Sequence, residues 1–278
     1  VSTSSAASTA VNLRSTRRAA DPRRRIFSLS PFFLALLFGA APAFAADAGC
    51  GPDNGETVAI RHIHDGDTVF LDSDEKVRLI GIDTPELGRD ERPPDPGAVA
   101  ARNRLRELVA KSDAITLRRG IDERGKYGRL LAHLYADGRN LQAQLLAEGL
   151  AVALTIPPNL THLDCYQQAT AKARAGRRGV WALPPYQPRA ADSLHEKERG
   201  YRIVHGTVRR VGHSRCCVWL NLDDDFALRI EREHRSLFEG IDFNRLEGER
   251  LEARGYLYFR NDQLRMQIRH PADLAIGE

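Results

Sequence analysis

No two cysteines in this sequence have the CxxC spacing of a zinc site, which rules out structural zinc. Cysteine is scarce altogether, with four among 278 residues, alongside one methionine and two tryptophans. There is no low-complexity tract, and the two halves share no repeat. A charge of one sign is also missing once the N-terminus is set aside. Residues 1–45 hold six arginines against Asp21, and the remainder carries 35 basic and 36 acidic residues. The formal net charge of +4 therefore says nothing about partners, and any nucleic-acid site has to be argued locally. What remains is ordinary for a soluble globular chain: 42% hydrophobic and 28% charged residues exclude a disordered or multi-span membrane protein.

The N-terminus has the order of an export signal. Arg23, Arg24 and Arg25 precede an apolar run over residues 26–44, which ends in Ala43-Phe44-Ala45. Ser30, Pro31, Gly39 and Pro42 break that run, so it suits a cleaved signal better than a bilayer span. Cleavage is expected after Ala45, giving a periplasmic or secreted protein with no membrane span. Asp47 stands where a lipoprotein signal needs an aliphatic residue, which argues against a lipid anchor. The Ser/Thr/Ala-rich stretch before Asp21 is long for the front of a signal, as a start codon assigned too far upstream would produce. An oxidising compartment permits disulfides. Cys50–Cys165 is the candidate bridge, clipping the mature N-terminus to a helix, although spacing does not fix connectivity. Cys216 and Cys217 are adjacent on an expected strand, where side chains point to opposite faces.

Short β-type runs at 57–62, 68–71, 77–82, 114–119 and 130–135 predict five strands. Residues 97–111 predict a helix between the third and fourth. Asn140 caps a second helix, and Thr161, with Asp164 three residues on, opens a third that ends near Gly176. The expected fold is mainly β with helices (α+β): an OB-type five-stranded barrel over 46–183 with helices packed on it. Pro184, Pro185 and Pro188 mark a linker at 184–199. Alternating runs over 200–278, with a short helix at 233–239 and an Asn261-Asp262 hairpin turn, predict a second, smaller OB-like β domain.

Chemistry concentrates in three stretches. Asp65-Gly66-Asp67-Thr68 alone reads as a turn. In the run from Arg78 to Glu86, the third strand carries Arg78, Ile80 and Ile82 on one face. A guanidinium beside a core needs an anionic partner. Asp83, Thr84 and Glu86 follow, in a loop stiffened by Pro85. Lys126-Tyr127-Gly128-Arg129 is a cationic turn that, alone, reads as a solvated surface.

In this order and spacing, the three stretches resemble the staphylococcal nuclease (thermonuclease-like) family over residues 56–182. The segment 132–150 and the final helix with Trp181 resemble it too. The resemblance implies an OB-type barrel and a Ca²⁺-dependent endonuclease that hydrolyses DNA and RNA to 3′-phosphates. Asp67 and Asp83 would then be carboxylate ligands of the metal and Thr84 a carbonyl ligand, consistent with the oxygen donors Ca²⁺ takes. Glu86 would orient or activate the attacking water. Arg78 and Arg129 would clamp the phosphate, Lys126 and Tyr127 a neighbouring phosphate, and Asp65 would hold the metal's waters.

The chain departs from the family pattern where tyrosines line the base pocket, having Leu154 and Ile156 instead, and Gly125 replaces an acidic residue often found there. Trp219, Tyr256, Tyr258 and Phe259 of the second domain can either stack bases or pack internally. Two alternatives stand beside catalysis: a non-catalytic nucleic-acid-binding protein, and an envelope interaction module carried by the second domain.

Overall fold

Nine short strands arise between residues 56 and 153: β1 (Glu56–Thr57), β2 (Ile60–Ile63), β3 (Thr68–Leu71), β4 (Lys76–Leu79), β5 (Ile82–Asp83), β6 (Ile115–Arg124), β7 (Leu130–Ala136), β8 (Arg139–Asn140) and β9 (Val152–Ala153). This computed structural model describes residues 50–51, 55–88, 91–223 and 225–277. The expected export signal and its cleavage point lie outside the described residues. Among the described residues, no helix is long and apolar enough to cross a membrane.

Most of these strands join one mixed sheet in the order β1-β6-β7-β4-β3-β2, with β8 added on β7. The β4–β7 pair is parallel, which sets Val77 against Leu130 and Arg78 against Leu131. Helices α1 (Ala98–Ala110), α2 (Leu141–Ala147) and α3 (Leu163–Ala175) complete this part. Asn140 caps α2 as expected, its side chain accepting a hydrogen bond from the Ala143 N–H at 2.8 Å. The third helix differs: His162, not Thr161, is its N-cap, and no side chain caps it. The core gathers Val69, Val77, Leu79, Leu105, Leu134 and Leu145, all buried.

Two expectations about strands fail for one reason. The third predicted strand breaks at Ile80-Gly81, because Gly81 takes a left-handed φ of 80°. A Cβ there would stand 2.5 Å from the Tyr166 ring. The chain therefore turns away, and Ile82–Asp83 pairs with Val152–Ala153 in a separate two-stranded sheet. Ile82 consequently leaves the strand of Arg78. No pairing among the described residues joins β2 to β1 or β6, so the expected closed five-stranded barrel is not formed by strand pairing.

A second sheet follows. Its strands are β10 (Pro188–Ala190), β11 (Gly200–Thr207), β12 (Arg210–His213), β13 (Cys217–Asn221), β14 (Phe226–Glu231), β15 (Arg250–Arg260), β16 (Gln263–Ile268) and β17 (Leu274–Ile276). They run in the order β10-β11-β15-β16-β14-β13-β12, with β17 on β15, and again no pairing closes the ends among the described residues. Asn261 and Asp262 both take left-handed φ at the β15–β16 hairpin, as an Asn-Asp turn demands. Within 184–199, expected as a linker, Pro188–Ala190 pairs in parallel with β11.

Both sheets belong to one compact unit. Val152, Ala173, Val180 and Trp181 from the first part share a buried cluster with Tyr201 and Ile203 from the second. Arg174 donates two hydrogen bonds of 2.7 Å to Glu252, and Thr155 donates one of 3.0 Å to Asp273. The candidate bridge Cys50–Cys165 is present, with Cα atoms 5.9 Å apart. Cys216 and Cys217 are bridged to each other, contrary to the opposite-face expectation. Cys216 precedes β13 in the turn, so strand alternation does not govern it.

Candidate active site

Asp67 is the centre of the site and is buried. The Asp65-Gly66-Asp67 run places it at the entry to β3, where a Cβ on Gly66 would meet Thr84 Cγ2 at 2.7 Å and Ala101 Cβ at 2.8 Å. Only glycine lets the chain pass that closely. The Asp65 carboxylate accepts the Asp67 N–H at 3.0 Å, which makes the run a side-chain-locked turn. Asp67 Oδ1 accepts from the Thr68 hydroxyl at 3.0 Å, and Oδ2 accepts from the Thr84 N–H and hydroxyl at 2.9 and 3.1 Å. Thr84 is thereby held 17 residues away in sequence, directly against the first motif.

The anionic partner that Arg78 requires is found, and it is double. Its Nη2 lies 2.5 Å from Asp83 Oδ1 and 3.3 Å from Asp67 Oδ2. Its Nη1 donates to the carbonyls of Leu79 and Ile82, each at 2.8 Å. Burial disfavours the guanidinium's charge, but Asp67, Asp83 and Asp65 outweigh that and raise its pKa. Asp83 is pushed up to about 6, chiefly by burial, against the pull of Arg78 and with Asp67 adding repulsion. Asp65 is raised as well, first by burial and then by Asp67.

The site also draws on the second sheet. The Tyr256 hydroxyl donates to Asp83 Oδ2, across 173 residues of sequence. Sequence reasoning lists Tyr256 only as a ring for packing or stacking, because no local pattern announces so distant a partner. It also misses the Thr68 and Thr84 hydroxyls that hold Asp67.

Glu86 is exposed at the rim, and its charge adds to the repulsion felt by Asp65 and Asp83. Its backbone is fixed by Asp95, whose N–H donates to the Glu86 carbonyl at 2.8 Å. Lys126, Tyr127 and Arg129 occupy the turn entering β7, one strand over from β4. Gly128 takes φ 74° there, and the Gly125 N–H donates to the Arg129 carbonyl at 2.9 Å. Tyr127 is 77% exposed, with the Lys126 ammonium 5.7 Å from its ring centre. Among the described residues, no ion pair links Arg129 to any carboxylate, and its buried Nε has no hydrogen-bond partner. The structure therefore brings Asp65, Asp67, Arg78, Asp83 and Thr84 into one network. Glu86, Lys126, Tyr127 and Arg129 make no direct bonds to it among the described residues.

Asp65, Asp67, Asp83 and Glu86 offer hard oxygen donors, and burial, with smaller repulsion from Asp67 and Glu86, raises the carboxyl groups of Asp65 and Asp83. That donor set fits a divalent cation, for which Asp67, Asp83 and the Thr84 carbonyl are the candidate ligands. An orphaned guanidinium nitrogen fits an external anion. Carboxylates around an arginine on a small β scaffold are the kind of arrangement that metal-assisted phosphate chemistry uses.

Comparison with known proteins narrows this class. The family model described as staphylococcal nuclease homologue matches residues 76–183. The thermonuclease of Staphylococcus intermedius is 33% identical over 130 residues, covering 46% of this chain and 77% of that protein. The thermonuclease of Staphylococcus hyicus is 31% identical over 139 residues, covering 49% and 81%. Endonuclease YncB of Bacillus subtilis is 35% identical over 127 residues, which covers 44% of this chain and 60% of YncB. Through this segment the chain belongs to the staphylococcal nuclease family. The second sheet lies outside the residues that the family model matches.

Proposed function

We propose that the protein is an exported, Ca²⁺-dependent nuclease that hydrolyses phosphodiester bonds of DNA, RNA or both, leaving 3′-phosphates. The observation that carries this reading is the carboxylate cluster around Arg78 together with the buried Arg129 Nε, which has no hydrogen-bond partner among the described residues. One group is suited to a cation and the other to an anion. Similarity to two thermonucleases and an endonuclease supports the same reaction class.

In this reading Asp67, Asp83 and the Thr84 carbonyl would hold Ca²⁺, which when bound would neutralise charge on the phosphate and polarise its oxygens. Asp65 would hold water beside these ligands. Glu86 accepts a proton from the attacking water, whose oxygen bonds to phosphorus in line with the departing 5′ oxygen. The P–O5′ bond breaks, the 5′ oxygen takes up a proton from solvent water, and the phosphate stays on the 3′ side. Arg129 and Arg78 stabilise the equatorial oxygens as charge grows on them. Because Arg78 is committed to two carboxylates and two carbonyls, Arg129 carries the larger share. Lys126 and Tyr127 hold the neighbouring phosphate.

The test is incubation of the full chain with single-stranded DNA and RNA, with Ca²⁺ or with chelator, beside Glu86→Gln. Cleavage that needs Ca²⁺ and drops about 10²–10⁴-fold in Glu86→Gln is expected for loss of a general base. Binding without cleavage under every condition would replace this reading with a non-catalytic one. A 5′-phosphate product would overturn the bond assignment.

A further inference from the structure

Strand β15 connects the second sheet to the site. Along it Glu252, Arg254, Tyr256 and Tyr258 alternate with the buried Leu251, Ala253 and Leu257, so they share the opposite face. At one end that face is covered by the nuclease-family part, where Arg174 binds Glu252. Further along, Tyr256 reaches Asp83 and is 40% exposed. Beyond Tyr256 the face continues across the sheet. Tyr258 lies opposite Arg265, and Arg265 lies opposite Ala227. The Arg265 guanidinium is 4.7 Å from the Trp219 ring centre, and that of Arg229, opposite Trp219, is 5.9 Å from it. Rings and guanidinium groups thus share this face from β15 to β13, across three strand spacings or about 14 Å.

The charge on this path is not balanced internally. Arg229 is paired with Glu231 at 2.6 Å, but Arg265 has no ion pair among the described residues and donates only to Gln263, at 3.2 Å. A half-buried cation lying on an indole without an ion pair matches the way single strands are held. Phosphates take the charge, and unstacked bases lie on aromatic or guanidinium planes. In the nuclease-family part Ile156 is 46% exposed and offers no ring. Tyr256 brings a ring from the other sheet to Asp83.

We propose that this face of the second sheet, from Tyr256 through Arg265 to Trp219, is a binding track for single-stranded nucleic acid leading from the catalytic carboxylates. The proposal rests on the nuclease reading for its direction. An acidic protein would suit the same charge, but continuity with Asp83 favours the substrate itself.

The test uses the full chain and a labelled 20-nucleotide oligo-dT, read by fluorescence anisotropy in chelator. Arg265→Ala and Trp219→Ala are each expected to weaken binding about tenfold, within the range for loss of one stacking platform. Arg265→Ala should also reduce the slope of log affinity against log salt by about 0.7. With Ca²⁺ present, the ratio of KM for oligo-dT to KM for the dinucleotide TpT should rise by the same factor as the loss in affinity. Trp219→Phe, which keeps a ring, should restore most of the binding and guards against simple misfolding. Unchanged oligo-dT affinity in both alanine variants, or equal losses on oligo-dT and TpT, would overturn the track. A wild-type chain that cleaves nothing while the alanine variants lose oligo-dT binding would sink the nuclease reading and leave the track standing.

Discussion

Arg129 holds a buried Nε with no hydrogen-bond partner on a turn at the edge of the first sheet, so replacing it acts on two opposed terms. A buried donor without a partner costs about 1–3 kcal/mol, and Arg129→Ala removes that cost. The same change strips two methylenes from a half-buried stem, worth at most about 1.6 kcal/mol at ~0.8 kcal/mol each. The terms nearly cancel, and stability should stay within about 1 kcal/mol of wild type. Activity has no such offset. An arginine that stabilises the transition state in phosphoryl transfer is worth about 10³–10⁵ in kcat, so Arg129→Ala should lower turnover of single-stranded DNA by at least about 10³. Arg129→Lys keeps the charge without the planar fork and should recover only a minor part. The assays are urea unfolding of both variants and initial rates under saturating Ca²⁺ and substrate. Turnover within tenfold of wild type would remove Arg129 from the chemistry. A stability loss beyond about 2 kcal/mol would show that the residue is kept for structure.

Three further outcomes are expected. Arg174→Ala should destabilise the full chain by about 2–4 kcal/mol in urea, since it leaves the Glu252 carboxylate, 12% exposed, without its two short hydrogen bonds; adding Glu252→Gln should return part of that, and no change in either variant would mean the contact is not formed in solution. Reduction of Cys50–Cys165, which closes 115 residues, should lower stability by up to about 4–5 kcal/mol, and non-reducing peptide mapping should give one linked pair; two free thiols in protein purified without reductant would refute the bridge. His133, held down to about 3 by burial, by His162 and by Arg118, stays neutral in the folded protein while the unfolded chain protonates near 6.5, so it takes stability away as pH falls from about 6.5 to 3, by up to about 1.4 kcal/mol per unit. Asp273, raised to about 7 by burial, acts in the opposite sense, its contribution being full at low pH and lost as pH rises toward 7. The difference between wild type and His133→Gln isolates the histidine, and identical pH slopes would refute its assignment.

The local chemistry of the site was legible in the residues themselves. An arginine on a strand beside a core required an anion, and Asp83 and Asp67 supply it. An asparagine ahead of a leucine-rich run required a helix, and Asn140 caps it. Each of these is decided within a few residues, where backbone geometry and one side chain suffice. The break at Gly81 was not legible, because what forces it is the ring of Tyr166, packed against the glycine from a distant helix. Nor was the disulfide between Cys216 and Cys217, since only the turn before β13 frees Cys216 from strand alternation. The hydroxyl of Tyr256 on Asp83 belongs to the tertiary structure alone. The two residues stand 173 apart, and what brings them together is the buried cluster of Trp181, Tyr201 and Ile203 between the two parts. Short-range pattern determines which groups a segment offers, but apolar burial between segments carries no sequence period, and it decides which of those groups meet.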